Sequence, residues 1–362
     1  MSEDLLKTPL HAAHLKLKAR MVDFAGWDMP VMYTSILEEA RSVRTGIGIF
    51  DISHMGRIIV SGQGATALLQ AATSNDVAAL KFTQAQYSLI TNYEGGIVDD
   101  IIVYRESDES YLIVINASNA AKDIAWLHSL RQSDDVVITD KSLETAMIAV
   151  QGPSAPAAVA KLFGDDSILD TPRFHYVRSE INGHGVTLCR TGYTGEDGFE
   201  LIVLATDADA IWQSLLDAGA APCGLGSRDA LRIEAGYPLY GHEIDDTTSP
   251  VGALLMWAVS MEKGAFTGRD QIAEIRSNGP SRKLMGMVCK DRIQPRQGYT
   301  VYIGNEAVGA ITSGVFSPTL GHSVAMAYID SKYAKSGVEV EVAIRDKRAA
   351  ATLRPKKNLL QP

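Results

Sequence analysis

The apolar positions of this chain fall into four successive patterns. The first is helical, with Ile36, Leu37, Ala40 and Val43 behind a Ser35/Glu38 capping box, which predicts a helix stopped at Gly46. From 57 to 139 the order reads strand (57–61), helix (65–72), three strands (86–91, 97–105, 111–115), helix (119–131) and strand (136–139). With one extra strand, this is a split βαβ layout. A second αβ block has strands at 145–150, near 186–190 and at 199–204, a break at Gln151-Gly152-Pro153, and helices 207–218 and 228–235 ended by Gly219 and Gly236. Beyond Lys283 only strands remain, at 284–289, 299–303, 307–312, 324–329 and the cleanly alternating 338–344. These predict a C-terminal antiparallel barrel or sandwich, reached through a linker at Asn278-Gly279-Pro280.

One strand is out of character. Gly95-Gly96-Ile97-Val98-Asp99-Asp100-Ile101-Ile102-Val103-Tyr104 reads as a buried strand, yet it holds two adjacent carboxylates. Asn92-Tyr93-Glu94 supplies a turn after run 86–91, so the two runs are predicted to pair as an antiparallel hairpin. Side chains alternate along a strand, and Asp100 shares a face with Val98, Ile102 and Tyr104, so Asp100 is expected to be the inward acid. A buried carboxylate is costly unless a cation or a hydrogen-bond donor meets it. The position therefore marks a functional site, a structural ion pair or a turn cap.

At 362 residues, 46% of them hydrophobic, the chain has enough material for two or three domains. It lacks any run of about 18 uncharged apolar residues. Met1-Ser2-Glu3-Asp4 carries acids where a targeting peptide carries Arg or Lys, so a soluble, cytoplasmic protein without membrane association is expected. A net charge of −9 argues against broad nucleic-acid binding. Arg345, Lys347, Arg348, Arg354, Lys356 and Lys357 nevertheless crowd the last eighteen residues, either as a solvated tail or as a surface for an acidic partner. Cys189, Cys223 and Cys289 are too few and too widely spaced for a disulfide framework or a zinc site, so free thiols and no metal are expected.

Three other stretches concentrate polar groups. Asp51-Ile52-Ser53-His54-Met55 leads into a strand, and a lone His in such a place is ordinarily a hydrogen-bonded structural residue. Asn116-Ala117-Ser118-Asn119 sits where a strand gives way to a helix, the usual place for capping side chains. Arg190-Thr191-Gly192-Tyr193-Thr194-Gly195-Glu196-Asp197-Gly198-Phe199-Glu200 has glycines enough for a tight loop in which its acids and Tyr193 can converge. It matches neither glycine-rich phosphate pattern, and its acids would repel phosphate.

These stretches, together with Phe24-Ala25-Gly26-Trp27, Leu231-Arg232-Ile233-Glu234-Ala235-Gly236 and Thr312-Ser313-Gly314-Val315-Phe316-Ser317-Pro318, fall in the order found in the T-protein (aminomethyltransferase) family of the glycine cleavage system. The chain resembles that family along essentially its whole length. The resemblance implies an α+β fold, a three-domain cloverleaf. Its parts would be a discontinuous αβ first domain (1–52 plus 140–245), a ferredoxin-like second domain (53–139) carrying the catalytic acid, a connecting segment (246–280) and a C-terminal antiparallel β-barrel (281–362). Tetrahydrofolate, as co-substrate, would lie in the central hole. The family's catalytic acid matches Asp100, its pterin-binding acid Glu200 and a folate-contacting arginine Arg228. Tyr87, Asn116 and Tyr193 are carried into the folate pocket, with Met55 and Trp257 as further lining.

The implied reaction moves the aminomethyl carbon from the lipoyl arm of the H-protein to tetrahydrofolate, releasing ammonia and the dihydrolipoyl carrier. Glycine decarboxylase and dihydrolipoyl dehydrogenase are the functionally linked enzymes. Residue chemistry agrees with this assignment. A pterin edge offers two parallel N–H donors that one carboxylate accepts as a pair, and tyrosine rings give it flat apolar surface. Two departures stand out. The family often ends in an aromatic-rich segment closing over the folate, where this chain has Arg354-Pro355-Lys356-Lys357, and His322 replaces a common Lys. Folate-dependent demethylases of the same superfamily form an alternative reading. A non-catalytic folate-binding iron–sulfur maturation factor is another, but its Lys-Gly-Cys-Tyr loop contrasts with Arg190-Thr191-Gly192-Tyr193 here.

Overall fold

The computed structural model describes residues 5–132, 134–290, 293–345, 347–357 and 359–360. Met1 to Asp4, and Asn358, Gln361 and Pro362 of the tail, lie outside the described residues. The chain divides into two compact units, one of residues 1–72, 76–88 and 101–228, the other of residues 73–75, 89–100 and 229–362.

The first unit is built around a six-stranded sheet in the order Tyr176–Ile181, His184–Cys189, Gly198–Leu204, Thr145–Gln151, Gly48–Asp51, Ala221–Pro222. All its pairings are antiparallel except the last, which is parallel. Alternate residues of these strands (Ile148, Val150, Leu188, Leu201, Val203) form one core with Trp212 and Ile211 of helix Ala208–Asp217 and Val159 of helix Ala155–Phe163. Burying side chains of this size contributes roughly 1.5–3 kcal/mol each, so the sheet is a stiff platform for the loops at its ends. The expected capping box is present. Ser35 Oγ accepts from the Glu38 N–H (3.2 Å) and donates to Glu38 Oε2 (3.1 Å), and the helix runs Ile36–Thr45.

A five-stranded sheet runs in the order Ala85–Thr91, Ile97–Ser107, Ser110–Ile115, Gly56–Ser61, Val137–Asp140. Its first two strands begin in one unit and end in the other. They form the predicted hairpin, closed by Asn92 N–H to the Gly96 carbonyl (3.0 Å). Asn92 Oδ1 accepts from the Glu94 and Gly96 N–H groups (3.1 and 2.8 Å), while its Nδ2 donates to the Asp246 carbonyl (2.8 Å). Gly96 is required there, because a Cβ would stand 1.8 Å from that same carbonyl oxygen.

In the second unit a closed six-stranded barrel runs Arg282–Cys289, Ser323–Asp330, Glu306–Phe316, Thr300–Ile303, Glu339–Ile344, Lys347–Arg354. Met287, Val301, Ile329, Val342 and Leu353 fill it. The last strand corrects the tail expectation. Lys347–Arg354 pairs with both Glu339–Ile344 and Arg282–Cys289 and so closes the barrel, with Ala349, Ala351 and Leu353 turned inward. The chain then packs on: Leu359 is buried with Ile233, Leu284 and Met326, and its N–H donates to the Glu234 carbonyl (3.0 Å).

Among the described residues no helix is long and apolar enough to cross a membrane. The three cysteines are buried.

Candidate active site

The loop 190–197 joins two neighbouring strands of the six-stranded sheet, and its charges are sorted by partner. Arg190 takes Asp197 (Nη2–Oδ2 2.8 Å, Nε–Oδ1 3.3 Å), and Arg44 takes Glu196 (2.8 Å). The Arg190 bonds hold the Asp197 carboxyl below its usual range. Those two acids therefore shape the loop rather than converge on a ligand. Glu200, on the strand that leaves the loop, is different. It is only 7% exposed, and Thr191 Oγ1 donates to its Oε2 (2.5 Å), with Tyr104 Oη 3.0 Å from the same hydroxyl.

Burial raises the Glu200 carboxyl above its usual range, opposed by the Arg228 charge and the Thr191 bond. Burial lowers Arg228 in turn, opposed by Glu200 and Tyr193. The Arg228 guanidinium lies over the Tyr193 ring, 4.9 Å from its centroid, and its buried Nη1 has no hydrogen-bond partner among the described residues. An orphaned donor on a buried cation is expensive unless something accepts from it. A planar heterocycle with a carbonyl and adjacent N–H groups fits this donor set. The acid takes the donors, the arginine gives one, and a tyrosine ring lies beside both.

Met55, Tyr87 and Asn116 lie in the same unit, all half-buried. The pairing of Gly56 with Ile115 puts Met55 and Asn116 one residue beyond the matched ends of adjacent strands. Arg57, missed in the sequence, grips this corner: its buried guanidinium donates to the carbonyls of Ser53 (2.7 Å), Met55, Ser142 and Thr145 (2.7 Å). Asn116 makes no side-chain capping bond to the helix that follows, which weakens the capping reading. His54 is buried edge-on to Phe24, and Nδ1 has no hydrogen-bond partner among the described residues. Burial pushes its imidazole down to about 4, with Arg228 and Arg57 adding and Asp51 opposing, so it is neutral at physiological pH. The hydrogen bond expected of a structural histidine at this position is thus absent at Nδ1 among the described residues.

The strand that carries the paired acids has the opposite facing to that expected. Ile97, Asp99, Ile101 and Val103 are the closed face, and Asp99 is fully buried, whereas Asp100 is half-buried. Apolar residues on both faces left alternation without a direction to read. The correction improves the fit of Asp100 to chemistry, since a reacting acid must remain reachable. Trp257, in the short 3-10 turn Met256–Ala258, is 66% exposed. Among the described residues no group of three or more His, Cys, Asp or Glu side chains is placed to hold a metal ion.

Two family models match this chain. The GCVT N-terminal domain covers residues 10–263, and the glycine cleavage T-protein C-terminal barrel domain covers residues 282–357. The chain belongs to the glycine cleavage T-protein family. It is similar to proteins named aminomethyltransferase from Symbiobacterium thermophilum (45% identity, 97% of this chain and 96% of that one) and Thermus thermophilus (46%, 96% and 97%). A crystal structure titled glycine cleavage system aminomethyltransferase T, from Bartonella henselae, superposes with a TM-score of 0.91 at 35% identity, covering 97% of each chain.

Proposed function

We propose that the Glu200–Arg228–Tyr193 group binds the pterin of tetrahydrofolate and that Asp100 is the acid of an aminomethyl transfer onto it. The observation that carries this reading is the buried acid–arginine pair with its orphaned Arg228 Nη1 beside Tyr193, in a chain whose relatives of 43–46% identity are named aminomethyltransferase. The protein is an enzyme of that activity, and the family implies folate as a substrate.

Tetrahydrofolate supplies two amine nitrogens between which the transferred carbon ends. The protein's part is placement and charge. Glu200 accepts the paired donors of the pterin edge, Arg228 gives its free Nη1 to a carbonyl acceptor, and Tyr193 covers the ring. Tyr87, Asn116, Met55 and Trp257 are proposed as the remaining lining. Asp100 stabilises the cation that develops as ammonia leaves the aminomethyl carbon, or takes the proton from the attacking nitrogen, and either role requires its ionised form. Holding both reactants in register supplies several further kcal/mol. The aminomethyl donor is the lipoyl arm of the H-protein, a partner implied by the family, loaded by glycine decarboxylase and reoxidised by dihydrolipoyl dehydrogenase.

The domain scheme of 1–52 plus 140–245, 53–139 and 281–362 is kept as our reading. It is supported by the six-stranded sheet falling within the first set, the five-stranded sheet in the second to within a residue, and the barrel in the third. The decisive assay supplies tetrahydrofolate and aminomethylated lipoyl carrier and measures methylene-tetrahydrofolate and ammonia. Formation of neither, by folded protein, would sink the proposal.

A further inference from the structure

Glu39 lies on the helix Ile36–Thr45 behind the Ser35 cap, and with Ala40 and Val43 it is turned into the interior. It is only 2% exposed. Four donors from two chain segments meet its carboxylate. Oε1 accepts from the Tyr33 N–H (2.6 Å) and the Thr34 N–H (3.1 Å), and Oε2 accepts from the Gly224 N–H (2.8 Å) and the Ser227 hydroxyl (2.9 Å). A buried acid is costly unless it is met in this way, so its place is specified by the groups it holds.

On the Oε2 side those groups begin the helix Leu225–Ala235, whose first turn carries Arg228. Gly224 is the link. Its N–H goes to Glu39, and its carbonyl accepts from the Arg228 N–H (3.1 Å) and lies 2.9 Å from the Ser227 hydroxyl. The Arg228 backbone is thus two hydrogen bonds from the Glu39 carboxylate, within one compact unit. Glycine is what allows the approach: a Cβ on Gly224 would stand 2.3 Å from the Val31 carbonyl carbon, and one on Gly226 would stand 2.7 Å from Ile36 Cδ1. A carboxylate at the amino end of a helix is also where the helix dipole favours negative charge. Beyond this fixed turn the Arg228 guanidinium lies over Tyr193, 4.9 Å from the ring centroid, with Nη1 unpartnered among the described residues.

We propose that Glu39 is a positioning residue for Arg228, its buried carboxylate fixing the first turn of that helix so that the guanidinium meets the folate in one orientation. The proposal rests on the assignment of Arg228 to the pterin. Glu39 acts through Gly224 and Ser227, without touching the ligand itself.

The test measures reduced-folate affinity of the full chain by calorimetric titration, beside kcat and the KM for aminomethylated lipoyl carrier. Glu39→Gln sets an NH₂ group against two of the four donors and should weaken folate binding by about tenfold. Ser227→Ala removes one donor and should weaken it by about threefold. In both variants kcat at saturating folate and the carrier KM should stay within about threefold of wild type. Val159→Ala, a cavity in the core of the same unit, controls for lost stability: it should lower the thermal midpoint and leave folate affinity unchanged. The decisive readout is coupling. Once Arg228→Met has removed the guanidinium, adding Glu39→Gln or Ser227→Ala should weaken binding no further. Full additivity in that background, unchanged affinity in both single variants, or equal weakening in Val159→Ala would overturn the proposal. If Glu39→Gln does not fold, Ser227→Ala and its cycle decide alone. If Arg228→Met binds folate normally, the assignment of Arg228 fails and the role of Glu39 with it. If Arg228→Met binds poorly while Glu39→Gln and Ser227→Ala bind normally, only the role of Glu39 fails.

Discussion

Two charged regions handle burial in opposite ways. Around Glu200 the buried acid faces a buried cation, and what remains unmet is a donor, Arg228 Nη1. Around Glu243 the buried acid is paired with the buried Arg232 (Oε2 to Nη1, 2.7 Å), and what remains unmet is an acceptor, Glu243 Oε1. Under the proposed function the first arrangement would be completed by a ligand bringing an acceptor. The second holds its own counter-charge in Arg232. With Glu200 proposed for binding and Asp100 for the reaction, the two should separate under mutation.

The largest effect should come from Asp100→Asn, which keeps the shape and one acceptor oxygen but removes the charge. Turnover should fall by about 10²-fold or more while folate affinity changes much less, as single-turnover assay and calorimetric titration would show. A near-normal rate would erase the reactive half of the contrast. Glu200→Gln should do the reverse, weakening reduced-folate binding by on the order of 2 kcal/mol, because an NH₂ then opposes one of the two pterin donors. An unchanged dissociation constant in a folded variant would remove Glu200 from the pocket. Asp99→Asn sharpens the comparison further. Its fully buried carboxylate predicts a lower thermal midpoint, while turnover per folded molecule stays within about threefold of wild type. A larger kinetic defect than that of Asp100→Asn would exchange the roles of the two acids. The smallest effect is expected from replacing the exposed Lys347, Arg354 and Lys357 by Gln together. Attraction between exposed charges is screened over about 10 Å at 0.1 M salt, so carrier binding should change only at low ionic strength. A loss that persists at high salt would mean direct contact.

Much of this was legible in the sequence wherever one face of an element is polar. The Ser35 helix and strand 339–344 were readable for that reason. Strand 97–107 was readable as a strand but not in its facing, since Ile97, Ile101 and Val103 on one side are matched by Val98, Ile102 and Tyr104 on the other. Strand Lys347–Arg354 escaped notice because its inward positions are mostly alanine, which carries little hydrophobic signal, between Lys347, Arg348 and Arg354. Lys356 was misread for a related cause: a local run of cations predicts solvent, and only the distant Gly236 and Gly286 make room for it inside. The site motifs were visible as clusters of residues, but the sorting of Glu196 to the distant Arg44, of Asp197 to Arg190 and of Glu200 to Thr191 depends on how the loop folds.

Closure of the barrel by Lys347–Arg354 has a consequence for how the molecule comes into being. Until that strand arrives, Arg282–Cys289 and Glu339–Ile344 each present a row of unpaired backbone groups, the kind of edge on which neighbouring nascent chains pair with one another. A ribosome delivers those two strands before their shared partner. The interval between them is a window of aggregation risk that slow translation lengthens and a strand-mimicking peptide should shorten.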